Sequence, residues 1–131
     1  MVISSLGGGS IVIRGAVRAD GGDGGPAYAG GGGGGGGSGG RILVTSAGGT
    51  ITIEDTLSAR GGRGGDAYRA DCGGGGGGGM VVIDAGGGSV DDSLGFYDVR
   101  GGAGGTPLDP QALDPGNPGL DGADGTVVVN P

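Results

Sequence analysis

Gly61-Gly62-Arg63-Gly64-Gly65-Asp66-Ala67-Tyr68 stands 40 residues after Gly21-Gly22-Asp23-Gly24-Gly25-Pro26-Ala27-Tyr28 and 40 before Gly101-Gly102-Ala103-Gly104-Gly105-Thr106-Pro107-Leu108. Upstream, Ile11-Val12-Ile13 and Ile51-Thr52-Ile53 keep the same spacing. This repetition decides how the glycine is read. With 43 glycines and 6 prolines in 131 residues, an aperiodic chain would be low-complexity and disordered. A fixed period with aliphatic runs at matched positions predicts a stacked, quasi-one-dimensional architecture instead. Glycine loses the most backbone entropy on ordering, so such a fold needs dense backbone hydrogen bonding.

Working outward, each unit has four parts. Residues 10–19 and 50–59 read as one strand each. Ile11, Ile13, Val17 and Ala19 alternate with Val12, Arg14, Ala16 and Arg18, and Ile51, Ile53, Leu57 and Ala59 alternate with Thr52, Glu54, Thr56 and Ser58. Period two with β-branched residues predicts one buried face. In the third copy, Asp91, Asp92 and Ser93 intrude, and the spacing changes from 39 to 40 across them, which predicts a bulge.

A glycine excursion follows. Its outward leg reads GGX-GGX at 21–26, 61–66 and 101–106, and its return leg occupies 30–37, 73–79 and 116–125. The third return reads GNP-GLD-GAD. A helix of three residues per turn needs glycine wherever it touches a neighbour, because a Cβ would collide. Both legs are therefore expected as polyproline-II-like strands whose amides bond adjacent legs. At the tips, Tyr28, Tyr68 and Leu108 are expected to stack as an apolar ladder capping the glycine layer. A second strand type comes next, at 41–45, 80–84 and 126–129, mirrored at the start by Met1-Val2-Ile3. Gly48-Gly49 and Gly86-Gly87-Gly88 suit either a hairpin or a solenoid corner, and near-identical repeat lengths favour stacked coils. Asp20 with Arg60, and Asp23 with Arg63, are expected as ion pairs one repeat apart.

The fold class is thus all-β: a repeat β-solenoid or sandwich of short strands with a stacked polyglycine-II layer and essentially no helix. Residues 1–131 read as a single repeat domain, divided into a partial repeat at 1–9, repeats at 10–49 and 50–88, and a divergent repeat at 89–131. Ile11, Ile13, Ile51, Ile53 and Leu57 are the expected structural core. The chain starts and ends on the same kind of strand, as a mature or excised piece would.

Charge and residue types exclude several functions. The net charge of −7, without lysine or histidine, argues against nucleic acid and anionic membrane. No segment reaches the ~18 apolar residues of a membrane span, so no membrane insertion is expected. The first six residues lack the basic start and apolar stretch of a signal peptide. Without histidine the usual general base and transition-metal ligand are missing. Cys72 stands alone and is expected as a small residue packed beside glycine.

Two motifs carry candidate chemistry. Residues 61–69 fit the calcium nonapeptide GGxGxDxUx, which makes Asp66 a metal candidate. That motif holds its ion between consecutive turns and must recur every nine residues. It occurs once here, and Pro26 and Thr106 replace Asp66 in the sister copies. The GxGxxG matches lack the helix that a nucleotide fingerprint requires. Asp91-Asp92, Asp109, Asp114, Asp121 and Asp124 read as a solvated acidic face. No catalytic residue, cofactor or enzymatic activity is expected.

The combination of GGX-GGX-AY, runs of seven and eight glycines and I-x-I strands, across nearly the whole chain, resembles the glycine-rich repeat proteins secreted by bacteria. It also resembles the polyglycine-II layers of springtail antifreeze proteins and of phage tail-tip adhesins. What the resemblance implies is an extracellular or cell-surface location. The expected function is a structural subunit or segment of a filament or surface appendage, partnered head-to-tail by copies of itself through end-to-end stacking. Open strand edges and missing polar caps would drive that assembly. The alternatives are an adhesin or phage-tail-tip-like module, with a surface or glycan ligand held by the 106–115 insertion, and an ice-binding protein using Thr50, Thr52 and Thr56.

Overall fold

The computed structural model describes residues 1–131 and contains no helix. Ten short strands form three parallel sheets. The first sheet joins β1 (Val2–Ser5), β4 (Arg41–Ser46), β7 (Met80–Asp84) and β10 (Thr126–Asn130), in that order. The second joins β2 (Ile11–Ile13), β5 (Thr50–Ile53) and β8 (Ser89–Asp91), and the third joins β3 (Val17–Arg18), β6 (Thr56–Ser58) and β9 (Phe96–Asp98). The parallel pairing excludes hairpins at Gly48-Gly49 and Gly86-Gly87-Gly88. Gly48 (φ 90°), Gly86 (φ 58°) and Gly87 (φ 88°) instead take left-handed corners that pass the chain between sheets.

Register follows the sequence period. Ile11 pairs with Ile51, Val17 with Leu57, Thr56 with Phe96, and Arg41 with Met80. Segments about 40 residues apart therefore pair in parallel, one level further along all three sheets. The first level holds β2, β3 and residues 20–40; the second holds β5, β6 and 60–79; the third holds β8, β9 and 100–125.

Inward residues of the facing sheets make the core. Ile42, Val44, Ile51, Ile53, Leu57, Val81 and Ile83 are at most 1% exposed, each contributing about 1.5–3 kcal/mol by burial. Ile13 belongs to the same cluster, and Ile11 and Val17 pack at its edge. The expected core positions are therefore inward. The expected single strand over 10–19 or 50–59 is in fact two, divided at a corner and placed in different sheets. In the second level Asp55 Oδ1 accepts the Thr56 N–H (2.6 Å), closing that corner. Ile53 and Leu57 are four positions apart, an even step, so inward parity survives the turn and the sequence alternation runs on unbroken. The extra residue of the third copy also sits in the corner, at 92–95, closed by Gly95 N–H to Asp92 O (2.8 Å). It is not a bulge within a ladder, because a corner absorbs insertion without breaking paired bonds.

The glycine excursions belong to no strand but are thoroughly bonded. Of 62 backbone–backbone hydrogen bonds, 40 lie outside the strands. Outward legs bond outward legs: Gly21 N–H to Arg60 O and Gly24 N–H to Arg63 O, both 2.8 Å. Return legs bond return legs: Gly36 N–H to Gly74 O and Gly39 N–H to Gly77 O, both 2.9 Å. Each return leg also bonds antiparallel to its own outward leg, as in Gly34 N–H to Gly25 O and Gly37 N–H to Gly22 O. Donors recur every third residue along each leg. The tip ladder is Ala27, Ala67 and Pro107, with Ala67 fully buried. Tyr28, Tyr68 and Leu108, expected there, lie one residue later and are 72%, 36% and 42% exposed. A parallel bridge turns alternate side chains to opposite faces, so only one of the two neighbours points inward.

Candidate assembly surfaces

Carboxylates bind one level to the next. Asp20 Oδ1 accepts Arg60 N–H (2.8 Å) and the Ser58 hydroxyl, Asp23 Oδ1 accepts Arg63 N–H (2.7 Å), and Asp66 Oδ1 accepts Thr106 N–H (2.7 Å). The expected Asp20–Arg60 and Asp23–Arg63 ion pairs are thus carboxylate-to-amide bonds. The amide is fixed within reach of the carboxylate, whereas the guanidiniums swing away: Arg60 to Asp98 (3.5 Å) and Arg63 to Asp66 (2.6 Å). Burial alone would raise the Asp20 pKa, but hydrogen bonds from Ser58 and the Arg60 N–H hold it below the ordinary value. Asp66 is also lowered, first by the Thr106 N–H and then by Arg63. Both Asp66 oxygens face the Arg63 guanidinium (2.6 and 3.2 Å), so its lone pairs already serve a cation and no second ligand set converges there.

The two ends of the stack differ. At the second and third levels, Gly62, Gly65, Gly102 and Gly105 donate to return legs: Gly62 to Gly37 O, Gly65 to Gly34 O, Gly102 to Gly76 O and Gly105 to Gly73 O, at 2.7–2.9 Å. A Cβ on any of them would overlap a carbonyl of the preceding outward leg. Gly22 and Gly25 hold the same places at the first level. Their amides have no partner within the chain, and a Cβ on either would meet nothing within 4 Å.

The third level ends differently. The amides of Gly101 and Gly104 correspond to those of Gly21 and Gly61, Gly24 and Gly64, which donate to the next level. Here Gly101 N–H donates to Asp124 Oδ1 (2.9 Å) and Gly104 N–H to Asp121 Oδ1 (2.7 Å). Asp121 and Asp124 take the places of Gly75 and Gly78, whose Cβ atoms would overlap the next outward leg at Gly102 and Val99. The two carboxylates thus fill the space of a fourth outward leg. Pro107, aligned with Ala27 and Ala67, has no N–H to pass on. Over the core, Tyr97 aligns with Leu57 and its hydroxyl donates to Asp92 (2.7 Å). Burial first, and Asp92 second, push that phenol above the ordinary tyrosine value. Beside it, buried Asp98 pairs with Arg100 (2.9 Å).

The expectation of two uncapped ends, on which head-to-tail stacking rests, therefore meets a polar cap at the third level. Asp121 and Asp124 are exposed, in keeping with the expected solvated face, and in addition bond the Gly101 and Gly104 amides. The sequence signal for that second role is their interruption of the two-of-three glycine pattern kept by Gly75-Gly76 and Gly78-Gly79.

Other surfaces carry less. The 106–115 insertion presents fully exposed Leu113 beside an Arg69–Asp109 pair (3.4 Å). Threonine does not form a row on the second sheet, where Thr52 pairs with Val12 and Asp91. No helix is long and apolar enough to cross a membrane. No family model, curated protein or solved structure matches the chain.

Proposed function

We propose that the chain is a structural segment of an extracellular filament or surface appendage: a β-solenoid of about three coils, flanked by a stacked polyglycine-II layer. The observation that carries this reading is the continuity of bonding along the stack axis. All three sheets and both sets of glycine legs run through every level, and every third glycine-leg amide is committed to a neighbour. Such a body has its strength along one axis. Seven arginines are its only basic side chains and Cys72 its one thiol, so there is little reactive chemistry on the surface. The ice-binding alternative loses support from the Val12-Thr52-Asp91 row, which is not uniform and bears a hydroxyl at only one of its three places. Immunogold electron microscopy on cells that make the protein tests the proposal. Label on appendages outside the cell is expected, and label confined to the cell interior would overturn it.

A further inference from the structure

We infer that the outer face of the first sheet is an interface with a second copy of this chain, in which two stacks lie side by side and point the same way.

Strand parity makes the face. In β4 and β7, Ile42, Val44, Val81 and Ile83 are inward and fully buried, so Leu43 and Val82 between them point outward. Val2 of β1 and Val128 of β10 join the same row, through the pairs Val2–Leu43, Leu43–Val82 and Val82–Val128. Four aliphatic side chains thus cross the outside of the sheet in succession. None belongs to the core cluster; Val2 is exposed and the other three are partly exposed. The corresponding rows of the other two sheets, Val12-Thr52-Asp91 and Arg18-Ser58-Asp98, are polar or charged in two or more of their three places. Leu43 and Val82 sit on the interior strands of the sheet, so the row does not depend on what lies beyond either end of the stack.

Charge names the occupant. Arg41 stands two residues before Leu43, and Asp84 two residues after Val82. They flank the row on opposite sides, about 6.6 Å from it and one strand apart. Neither enters an ion pair within the chain, and Asp84 accepts only the Gly86 N–H (2.9 Å). A two-fold axis laid along the row, parallel to the stack, brings the aliphatic rows of two copies together. Arg41 then lies over Thr45 of the second copy, with Asp84 of that copy one strand (~4.8 Å) away. The symmetry makes this contact twice. A two-fold laid along the strands instead sets Arg41 one strand from its own counterpart, and Asp84 likewise, which is repulsive at both places. Charge therefore selects the axis along the stack, and that axis keeps the levels of both copies rising in one direction. A self-complementary arrangement of this kind is what a second copy satisfies. The patch is ~15 Å on a side, at the small end of specific interfaces, so one pair of chains associates weakly.

The test is sedimentation equilibrium of the full chain over a concentration series reaching about 1 mM. A reversible monomer–dimer equilibrium is expected. Val82→Lys puts a charge into the row, and Arg41→Asp sets like charges together on both sides; each should raise the dissociation constant at least ~10-fold with an unchanged circular dichroism spectrum. Arg41→Asp combined with Asp84→Arg should return it to within about threefold of the wild-type value. Val12→Lys, on the second sheet, should leave it unchanged. A chain that stays monomeric throughout, an assembly that Val82→Lys leaves intact, or a charge exchange that fails to rescue Arg41→Asp overturns the inference. Dimerisation is read in solution and does not decide where the protein resides, so the localisation experiment stands apart.

Discussion

Replacing Gly62 by alanine should destabilise the fold severely, while the same change at Gly22 should not. The two glycines occupy one phase of the outward leg, one level apart, and neither has positive φ. Alanine is therefore compatible with the backbone at both, and contributes up to about 1 kcal/mol by restricting the unfolded chain. At Gly22 nothing else changes, so Gly22→Ala should lie between neutral and about 1 kcal/mol stabilising. At Gly62 the new Cβ overlaps Gly22 O. Reaching an ordinary C···O separation of about 3.3 Å requires the two legs to part by about 1 Å. Parting them stretches the Gly21–Arg60 and Gly24–Arg63 backbone bonds, both 2.8 Å, beyond hydrogen-bonding range. Two lost bonds cost about 2 kcal/mol, and overpacking adds about 1–3. A net loss of about 2–4 kcal/mol remains after the entropic gain, out of the 5–15 typical of a domain. Urea denaturation followed by circular dichroism reads the difference as a shift in midpoint. Midpoints for the two variants within about 0.5 kcal/mol of each other would refute the idea that glycine here is a packing requirement.

Leu57→Ala should cost about 2–5 kcal/mol in the same assay, whereas Tyr28→Ala should stay within about 0.5 because that ring is largely exposed. Tyr97→Phe removes the hydroxyl that donates to Asp92 (2.7 Å) and should cost about 1–2 kcal/mol; in alkaline absorbance titration the wild type should show one tyrosine ionising above the ordinary range. Acid should weaken the stack. Asp66, lowered first by the Thr106 N–H, Asp71 by the Asn117 N–H, and Asp98 by Arg100 have folded pKa values below the ordinary carboxylate value. Their contribution is complete above about pH 4 and disappears as pH falls through the folded values, so the urea midpoint should fall between about pH 5 and 2. A midpoint that is flat across that interval would show that these carboxylates do not join the levels.

The core and the stacking axis were legible because they obey period rules. Ile51, Ile53 and Leu57 announce one face by alternation, and a 40-residue offset places like residues in register. What the sequence concealed were choices between equal parities. Ala67 and Tyr68 are adjacent, and nothing local states which turns inward at a bridge; the smaller one does, where legs approach within hydrogen-bonding distance. Asp20 and Arg60 are opposite charges at repeat spacing, yet the carboxylate reaches the amide. The backbone donor costs less to immobilise than a long side chain. The corner between β5 and β6 was hidden for a related reason, since an even number of steps leaves the inward pattern intact.

The ends of the stack were the hardest to read, because a terminus is defined by what the next level would have been. Gly75 and Gly78 are glycine because an outward leg lies against them. Their counterparts Asp121 and Asp124 carry side chains, and those side chains accept from the amides that would have donated to a further outward leg. Steric exclusion and hydrogen-bond substitution are thus performed by the same two residues, which is more than an acidic surface requires. The third level thus rejects a further leg while satisfying its own donors.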